Sequence, residues 1–202
     1  MWNAAVLVLV VGLLAQAQQR TPEEYAKFLE GADRVTRMQV PRVVAALDLK
    51  PGFRVADIGS GSGLFTRPIA TAVAPDGVAY AVDVDPALLK IVARSADEQK
   101  IANIRIIEGA AGDPMLPEPV DLAFICDTLH HIQQPAEYLK TLKKYLRPGG
   151  RIAVIDFAAQ WPQGHESMRY SVEHLDGWMK GAGLVRHASH DWLENSFFVV
   201  YR

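Results

Sequence analysis

The densest chemistry in this chain lies in Val55-Ala56-Asp57-Ile58-Gly59-Ser60-Gly61-Ser62-Gly63. An apolar strand carries an acid near its end and opens into a loop with glycine at every second position. Glycine is needed where a ligand presses on the backbone, because a Cβ would occupy that space. A strand, a tight glycine loop and a helix N-terminus form a nucleotide-binding crevice at the carboxyl edge of a parallel sheet. Dinucleotide sites favour G-x-G-x-x-G. Here the glycines run G-x-G-x-G, and neither Leu64 nor Thr66 completes that pattern. Asp57 adds a carboxylate just under the loop. Taken alone, the loop also reads as a structural strand-to-helix turn.

A second acid follows the next apolar run, Val78-Ala79-Tyr80-Ala81-Val82. Asp83 is the first residue past it, where a carboxylate can accept both hydroxyls of a ribose. The competing reading is a turn acid. Asp85 reads as a helix N-cap with Pro86 at the first helical position. A third group, Asp127-Thr128-Leu129-His130-His131, leaves the fourth strand beside the switch point of the sheet. His130 or His131 is placed to orient or deprotonate a substrate near neutral pH. Alternatively, one of them packs and fixes the loop. Asp156, at the tip of the fifth strand, is either a further site residue or a loop cap. His165, in Trp161-Pro162-Gln163-Gly164-His165, sits on a loop able to close over a pocket. Arg34 and Arg37 share one helix face, to meet an anionic substrate or solvent.

These groups need a frame, and composition supplies the first bounds. The chain has 202 residues, 50% hydrophobic and 22% charged, which suits one α/β domain with an ample core. A net charge of −2 gives no basic field for nucleic acid. The single cysteine, Cys126, lies in an apolar run, reads as a buried strand residue and excludes an intrachain disulfide framework. The histidines show no familiar metal-ligand spacing, so no metal is expected.

Residues 4–15 form an uninterrupted apolar run, and Ala15-Gln16-Ala17 has the small-x-small form of a signal-peptidase site. The run is shorter than the ~20 residues that cross a bilayer. Residues 1–17 are therefore expected to be a secretory signal, giving an exported (periplasmic or extracellular) protein. A membrane anchor is the alternative. Residues 18–50 are expected to form a helical cap on a domain spanning 51–202.

Thr21-Pro22-Glu23-Glu24 combines an N-cap, an N1 proline and a capping-box glutamate. It predicts a helix to about Glu30, ended by Gly31. A second helix over 33–47 is expected to bend or restart at Pro41. Strands at 53–58, 78–83, 104–108, 121–126 and 151–156 alternate with helices at 63–73, 86–97, 135–145 and 171–181. Alternation of this kind predicts a doubly wound parallel sheet. Two last strands, 184–192 and 197–201, have no helix between them and must pair antiparallel.

In this order and spacing the motifs resemble class I S-adenosylmethionine-dependent methyltransferases, in particular the ubiquinone/menaquinone-pathway C-methyltransferase-like enzymes. The carriers are Asp57 to Gly63, Ala81-Val82-Asp83, Asp127 to Ile132, Leu146-Arg147-Pro148-Gly149-Gly150-Arg151-Ile152 and Ala182-Gly183-Leu184. The resemblance implies a Rossmann-like, seven-stranded, mostly parallel sheet with an antiparallel C-terminal pair. It implies S-adenosyl-L-methionine as cofactor, held by Asp57, Gly59, Ser60, Gly61, Gly63, Asp83, Val84, Ala111, Asp113 and Asp127. His130 and His131 would then face the methyl acceptor. There is one departure. Many relatives have Gly-Asp-Ala after the third strand, with the acid on the adenine amino group, whereas this chain has Gly109-Ala110-Ala111. Either Asp113 bends back to serve, or the backbone at Ala110 and Ala111 reads the adenine alone.

The expected reaction is in-line methyl transfer to a small or lipophilic molecule, which calls for positioning and not for a covalent triad. The alternative is a non-catalytic exported binding module that keeps the crevice. A dinucleotide oxidoreductase is disfavoured by the glycine spacing and by the lack of a second domain. Arsenite methylation would need several thiolates, and Cys126 stands alone. Oligomeric state and acceptor atom are not legible.

Overall fold

A computed structural model describes residues 20–202. The expected signal or anchor, residues 1–17, lies outside the described residues. Among these, no helix is long and apolar enough to cross a membrane.

Seven strands form one sheet: β1 (Arg54–Ile58), β2 (Val78–Asp83), β3 (Ile104–Glu108), β4 (Val120–Cys126), β5 (Leu146–Phe157), β6 (Arg186–His190) and β7 (Ser196–Tyr201). Their order is β3-β2-β1-β4-β5-β7-β6. β1 to β5 run parallel, and β7 is antiparallel to both β5 and β6. The order reverses between β1 and β4, where the loops leaving the two strands diverge to open a crevice.

Alternate residues face opposite sides of each strand. Val55, Ala79, Leu122, Phe124 and Ile155 pack on one face with Ile69, Val73, Leu89 and Val92. The latter come from α4 (Thr66–Val73) and α5 (Pro86–Glu98). Ala56, Tyr80, Ala123, Ile125 and Val154 pack on the other face with Leu139, Leu142, Leu175 and Met179. These come from α6 (Pro135–Lys144) and α7 (Val172–Gly181). Both faces are covered, which is why the parallel strands read as continuous apolar runs.

Three short helices, α1 (Pro22–Leu29), α2 (Ala32–Met38) and α3 (Val40–Ala46), precede the sheet. The Thr21 capping box forms as expected, with Thr21 N–H donating to Glu24 Oε2 at 2.8 Å. The expected second helix is two helices, split at Gln39, whose φ of 44° is left-handed. Pro41 has no N–H for the carbonyl four residues back, so the helix restarts with the proline in its first turn. α4 starts at Thr66 and not at Gly63, because the positive φ values at Gly59, Gly61 and Gly63 carry the loop further. β5 begins at Leu146, ahead of the expected 151, and takes in the Pro148-Gly149-Gly150 turn.

Candidate active site

One cavity of about 1360 Å³ opens at the carboxyl ends of β1, β2, β4 and β5. Its first wall is the glycine loop. The N–H groups of Gly59 and Ser60 donate to Val82 O at 2.8 and 3.0 Å, tying the loop to β2. Gly61 N–H donates to Asp83 Oδ2 at 2.8 Å, and Asp85 N–H to Asp83 Oδ1 at 3.0 Å. Asp83 thus fixes the loop while lining the cavity, and each oxygen keeps a lone pair for a further donor. Asp85 caps α5 through Ala87 N–H, as its position in the sequence predicts.

A Cβ on Gly59 (φ 69°) would lie 2.2 Å from Thr128 Oγ1, and one on Gly61 (φ 54°) 2.9 Å from Leu29 Cδ1. Both glycines are therefore required by the backbone and by their neighbours. Gly63 differs. It does not line the cavity, and its Cβ would meet Arg67 Nη1 and Val92 at 3.2 Å. The Cβ side of Gly63 thus faces the packing between the loop and α5.

Asp57 is buried and accepts from Thr66 Oγ1 at 2.5 Å. Burial pushes its pKa up to about 7, against the opposing hydrogen bond from Thr66. Ser60 and Ser62 line the cavity with buried hydroxyls that have no hydrogen-bond partner among the described residues. Ser62 is a site residue that sequence reasoning passed over, although it alternates with the glycines as Ser60 does. Val84 and Ala111 line the far end with Ala110. Asp113 does not line the cavity. Its Oδ1 accepts from Met115 N–H and from Tyr145 O–H, both at 2.8 Å. The expectation that it bends back into the site is corrected: a tyrosine on the α6 side holds it away.

Asp127 stands at the end of β4 with φ 49°. Its Oδ2 pairs with Arg34 Nη2 at 2.8 Å, and its buried Oδ1 has no partner among the described residues. Burial raises the Asp127 pKa, with the Arg34 charge opposing. Arg34 also donates to Leu29 O at 3.1 Å, so its guanidinium is partly engaged inside the protein while it lines the cavity. Arg37, one turn on, lines the cavity as well. Through this ion pair, α1 and α2 become a wall of the site, with Tyr25, Phe28 and Leu29 facing the cavity.

The opposite wall is made of rings. Leu129–His131 form a short 3-10 turn after β4. His130 is buried, and its Nδ1 lies 2.8 Å from Asp156 Oδ1. Asp156 is fully buried and also accepts from Phe157 N–H at 2.9 Å and Tyr170 O–H at 2.8 Å. It is the anchor beneath His130, which neither sequence reading of it anticipated. His165 lines the cavity too, its ring centroid 5.3 Å from both His130 and His131. Trp161 stands edge-on to His130 at 5.4 Å. The pKa of His131 is lowered by desolvation and by the rings of His130 and His165. Each of the three histidines offers a ring nitrogen within 4.8 Å of the others. Sequence spacing had shown no such set. The convergence is made by the loop after β5, which folds back over the β4 turn.

A family model described as a methyltransferase domain matches residues 49–192. The ubiquinone/menaquinone biosynthesis C-methyltransferase UbiE of Ectopseudomonas mendocina is 30% identical over 112 residues, 54% of this chain and 44% of that protein. The chain thus spans about half the length of the curated relatives it matches. Among solved structures, a SAM-dependent methyltransferase from Aquifex aeolicus superposes with a TM-score of 0.79 at 22% identity, covering 91% of this chain and 98% of that one. The magnesium protoporphyrin IX methyltransferase of Synechocystis PCC 6803, solved with bound SAH, gives 0.65 at 18% identity, covering 83% and 84%. At these identities the structural likeness establishes the fold: the Rossmann-like, seven-stranded methyltransferase sheet.

Proposed function

This chain belongs to the methyltransferase-domain family, and from that premise we propose that it transfers a methyl group from S-adenosyl-L-methionine to a small, ring-bearing or lipophilic acceptor. The observation that carries this reading is a continuous cavity joining the glycine loop to the histidine and aromatic wall. Its two ends have different chemistries, as a two-substrate transfer requires.

The residues at the first end fit the cofactor. Gly59 and Gly61 line the cavity with bare backbone, and their positive φ values shape the loop around it. Asp83 offers acceptor oxygens at the end of β2, suited to a ribose diol. The hydroxyls of Ser60 and Ser62 and the Oδ1 of Asp127, without partners among the described residues, suit the carboxylate and ammonium of an amino acid. Ala110 and Ala111 line the adenine end, where this chain lacks the usual acid and a backbone reading takes its place. When bound, the cofactor supplies an activated methyl group on a sulfonium.

The protein's part is then to position the acceptor and exclude water. Phe157 and Trp161 line the second end and favour an apolar or aromatic body. His130, locked by Asp156, orients the acceptor's heteroatom. His131, with its lowered pKa, is neutral at pH 7 and able to take a proton from an acceptor that carries one.

The test is calorimetry of the full chain with S-adenosylmethionine and S-adenosylhomocysteine. One-site binding of both, followed by turnover of labelled S-adenosylmethionine with pooled small lipophilic acceptors, is the expected result. Absence of binding to folded protein removes the proposal. For residues 1–17 we propose the export signal or membrane anchor that their apolar run predicts. The N-terminus of the protein from its host decides: a start at Gln18 means cleavage, and an intact Met1 in the membrane fraction means an anchor.

A further inference from the structure

We propose that His130, His131 and His165 form a binding site for a zinc-class divalent cation, with one coordination position open to the acceptor end of the cavity. The purpose assigned to the cation rests on the methyl-transfer reading, but its binding does not. Three histidines from two separate loops meet here, with ring nitrogens within 4.8 Å of one another. Tetrahedral zinc with Zn–N bonds of about 2.0–2.1 Å needs nitrogens roughly 3.3 Å apart. The set is thus within about an ångström or two of ligating distance. Three imidazoles leave the fourth position free, which is the arrangement of a catalytic and not a structural zinc site.

The surroundings supply an independent observation. Metal-ligating histidines almost always hand their other ring nitrogen to a carboxylate or carbonyl, which fixes tautomer and orientation. His130 does this already: its Nδ1 faces Asp156 at 2.8 Å, which leaves Nε2 with the lone pair a cation needs. Asp156 is itself held by Tyr170 O–H and Phe157 N–H, so the support is rigid. His165 Nδ1 lies 3.3 Å from Gln163 O, a second and weaker support of the same kind. Phe157 and Trp161 shield the cluster on the inner side. The ligand set selects a borderline cation such as Zn²⁺, Co²⁺, Ni²⁺ or Fe²⁺ over Mg²⁺ or Ca²⁺, which prefer oxygen.

Packing of three rings at a pocket mouth is the plain alternative, and it predicts no cation affinity. If the cation binds, its open position takes an oxygen, nitrogen or sulfur donor of the acceptor, and His131 serves as ligand in place of base. The acceptor is then one that coordinates a metal.

The experiment strips the full chain with a chelator and titrates Zn²⁺ by calorimetry, and Co²⁺ by visible absorption. One equivalent of Zn²⁺ at micromolar affinity or tighter is expected, with the intense d–d bands of four-coordinate Co²⁺. His165→Ala and His131→Ala, both outside the packed core, should each weaken binding at least tenfold. Asp156→Asn keeps the shape and loses the carboxylate, and should cost about 10–100-fold in metal affinity. Melting curves establish that each variant is folded. No binding to the wild-type chain, or unchanged affinity in folded His165→Ala, overturns the proposal. S-adenosylhomocysteine is titrated into the same samples. Nucleoside binding without Zn²⁺ binding defeats the metal site alone, and the reverse outcome defeats the cofactor reading alone.

Discussion

The two ends of the cavity are built in opposite ways. The glycine-loop end is a matter of backbone: Gly59, Gly61 and Asp83 meet across two neighbouring strands, joined by Gly61 N–H to the Asp83 carboxylate. The histidine end is a matter of side chains from distant parts of the chain. His130 follows β4, Asp156 ends β5, His165 lies on the next loop and Tyr170 precedes α7. A backbone cradle holds one ligand shape, the same wherever the motif occurs. A side-chain wall varies residue by residue. The difference explains why the first end announces its ligand and the second end leaves the acceptor open.

Gly59 meets Thr128 between the two ends, and the largest expected effect lies there. Gly59→Val puts a branched side chain at φ 69° and into the Thr128 hydroxyl, 2.2 Å from the new Cβ. Backbone strain at such a φ costs about 1–3 kcal/mol before any overlap. S-adenosylhomocysteine binding should be lost in calorimetry, and the Tm should fall. Normal binding would mean that the loop is not the cradle.

Asp156→Ala probes the other end. It leaves His130 Nδ1, the Phe157 N–H and the Tyr170 hydroxyl unpaired in a buried place. Three such groups cost roughly 3 kcal/mol of stability or more together. Denaturant melts should show this loss, while S-adenosylhomocysteine affinity stays within twofold. If the nucleoside affinity fell in parallel with stability, the two ends would not be separable.

How much of this was legible follows the same division. Asp57 to Gly63 and Asp83 could be found because their work is local: a strand end, a tight loop, a helix start. The sheet was legible for the same reason, since strands buried on both faces write continuous apolar runs. Asp113 misled because its true partner, Tyr145, is 32 residues away. At all three loop glycines the pattern shows that a Cβ is disfavoured but not what opposes it, and the neighbours are Thr128, Leu29 and Val92. Asp156 beneath His130, Arg34 against Asp127 and the arrival of His165 are products of the folded chain. No spacing rule encodes them, although His165 stood out as part of a loop able to fold over the pocket.

Asp83→Ala is expected to be milder than the glycine change. It removes an acceptor for the ribose and releases Gly61 N–H, a loss of about 1.5–3 kcal/mol in S-adenosylhomocysteine affinity for hydrogen bonds to a charged group. Asp83→Asn should fall between wild type and Ala, because it keeps one acceptor oxygen. Equal affinity in all three would take Asp83 out of the site and weaken the claim that this end is specified locally.

The smallest effect is a pH dependence that the acid under the glycine loop should produce. Asp57 has a folded pKa of about 7 against an ordinary value of 3.8, chiefly because it is buried. Between those values the folded protein holds a proton that the unfolded chain has lost. Stability of the ligand-free protein should therefore fall as pH rises from about 4 to 7, and the Asp57→Asn variant should lack this part of the slope. Ligand binding runs the other way. A cationic amino-acid group placed in the cavity favours the ionised carboxylate, so binding releases a proton. S-adenosylhomocysteine affinity should rise between pH 6 and pH 8 by up to about tenfold, one pKa unit's worth. Asp127, also raised by burial, adds to the slope in wild type. The difference between wild type and Asp57→Asn isolates the share due to Asp57. Calorimetry in buffers of different ionisation enthalpy counts the proton directly. Equal proton release in both proteins would place the titrating group elsewhere and leave the acid under the loop a structural partner of Thr66 alone.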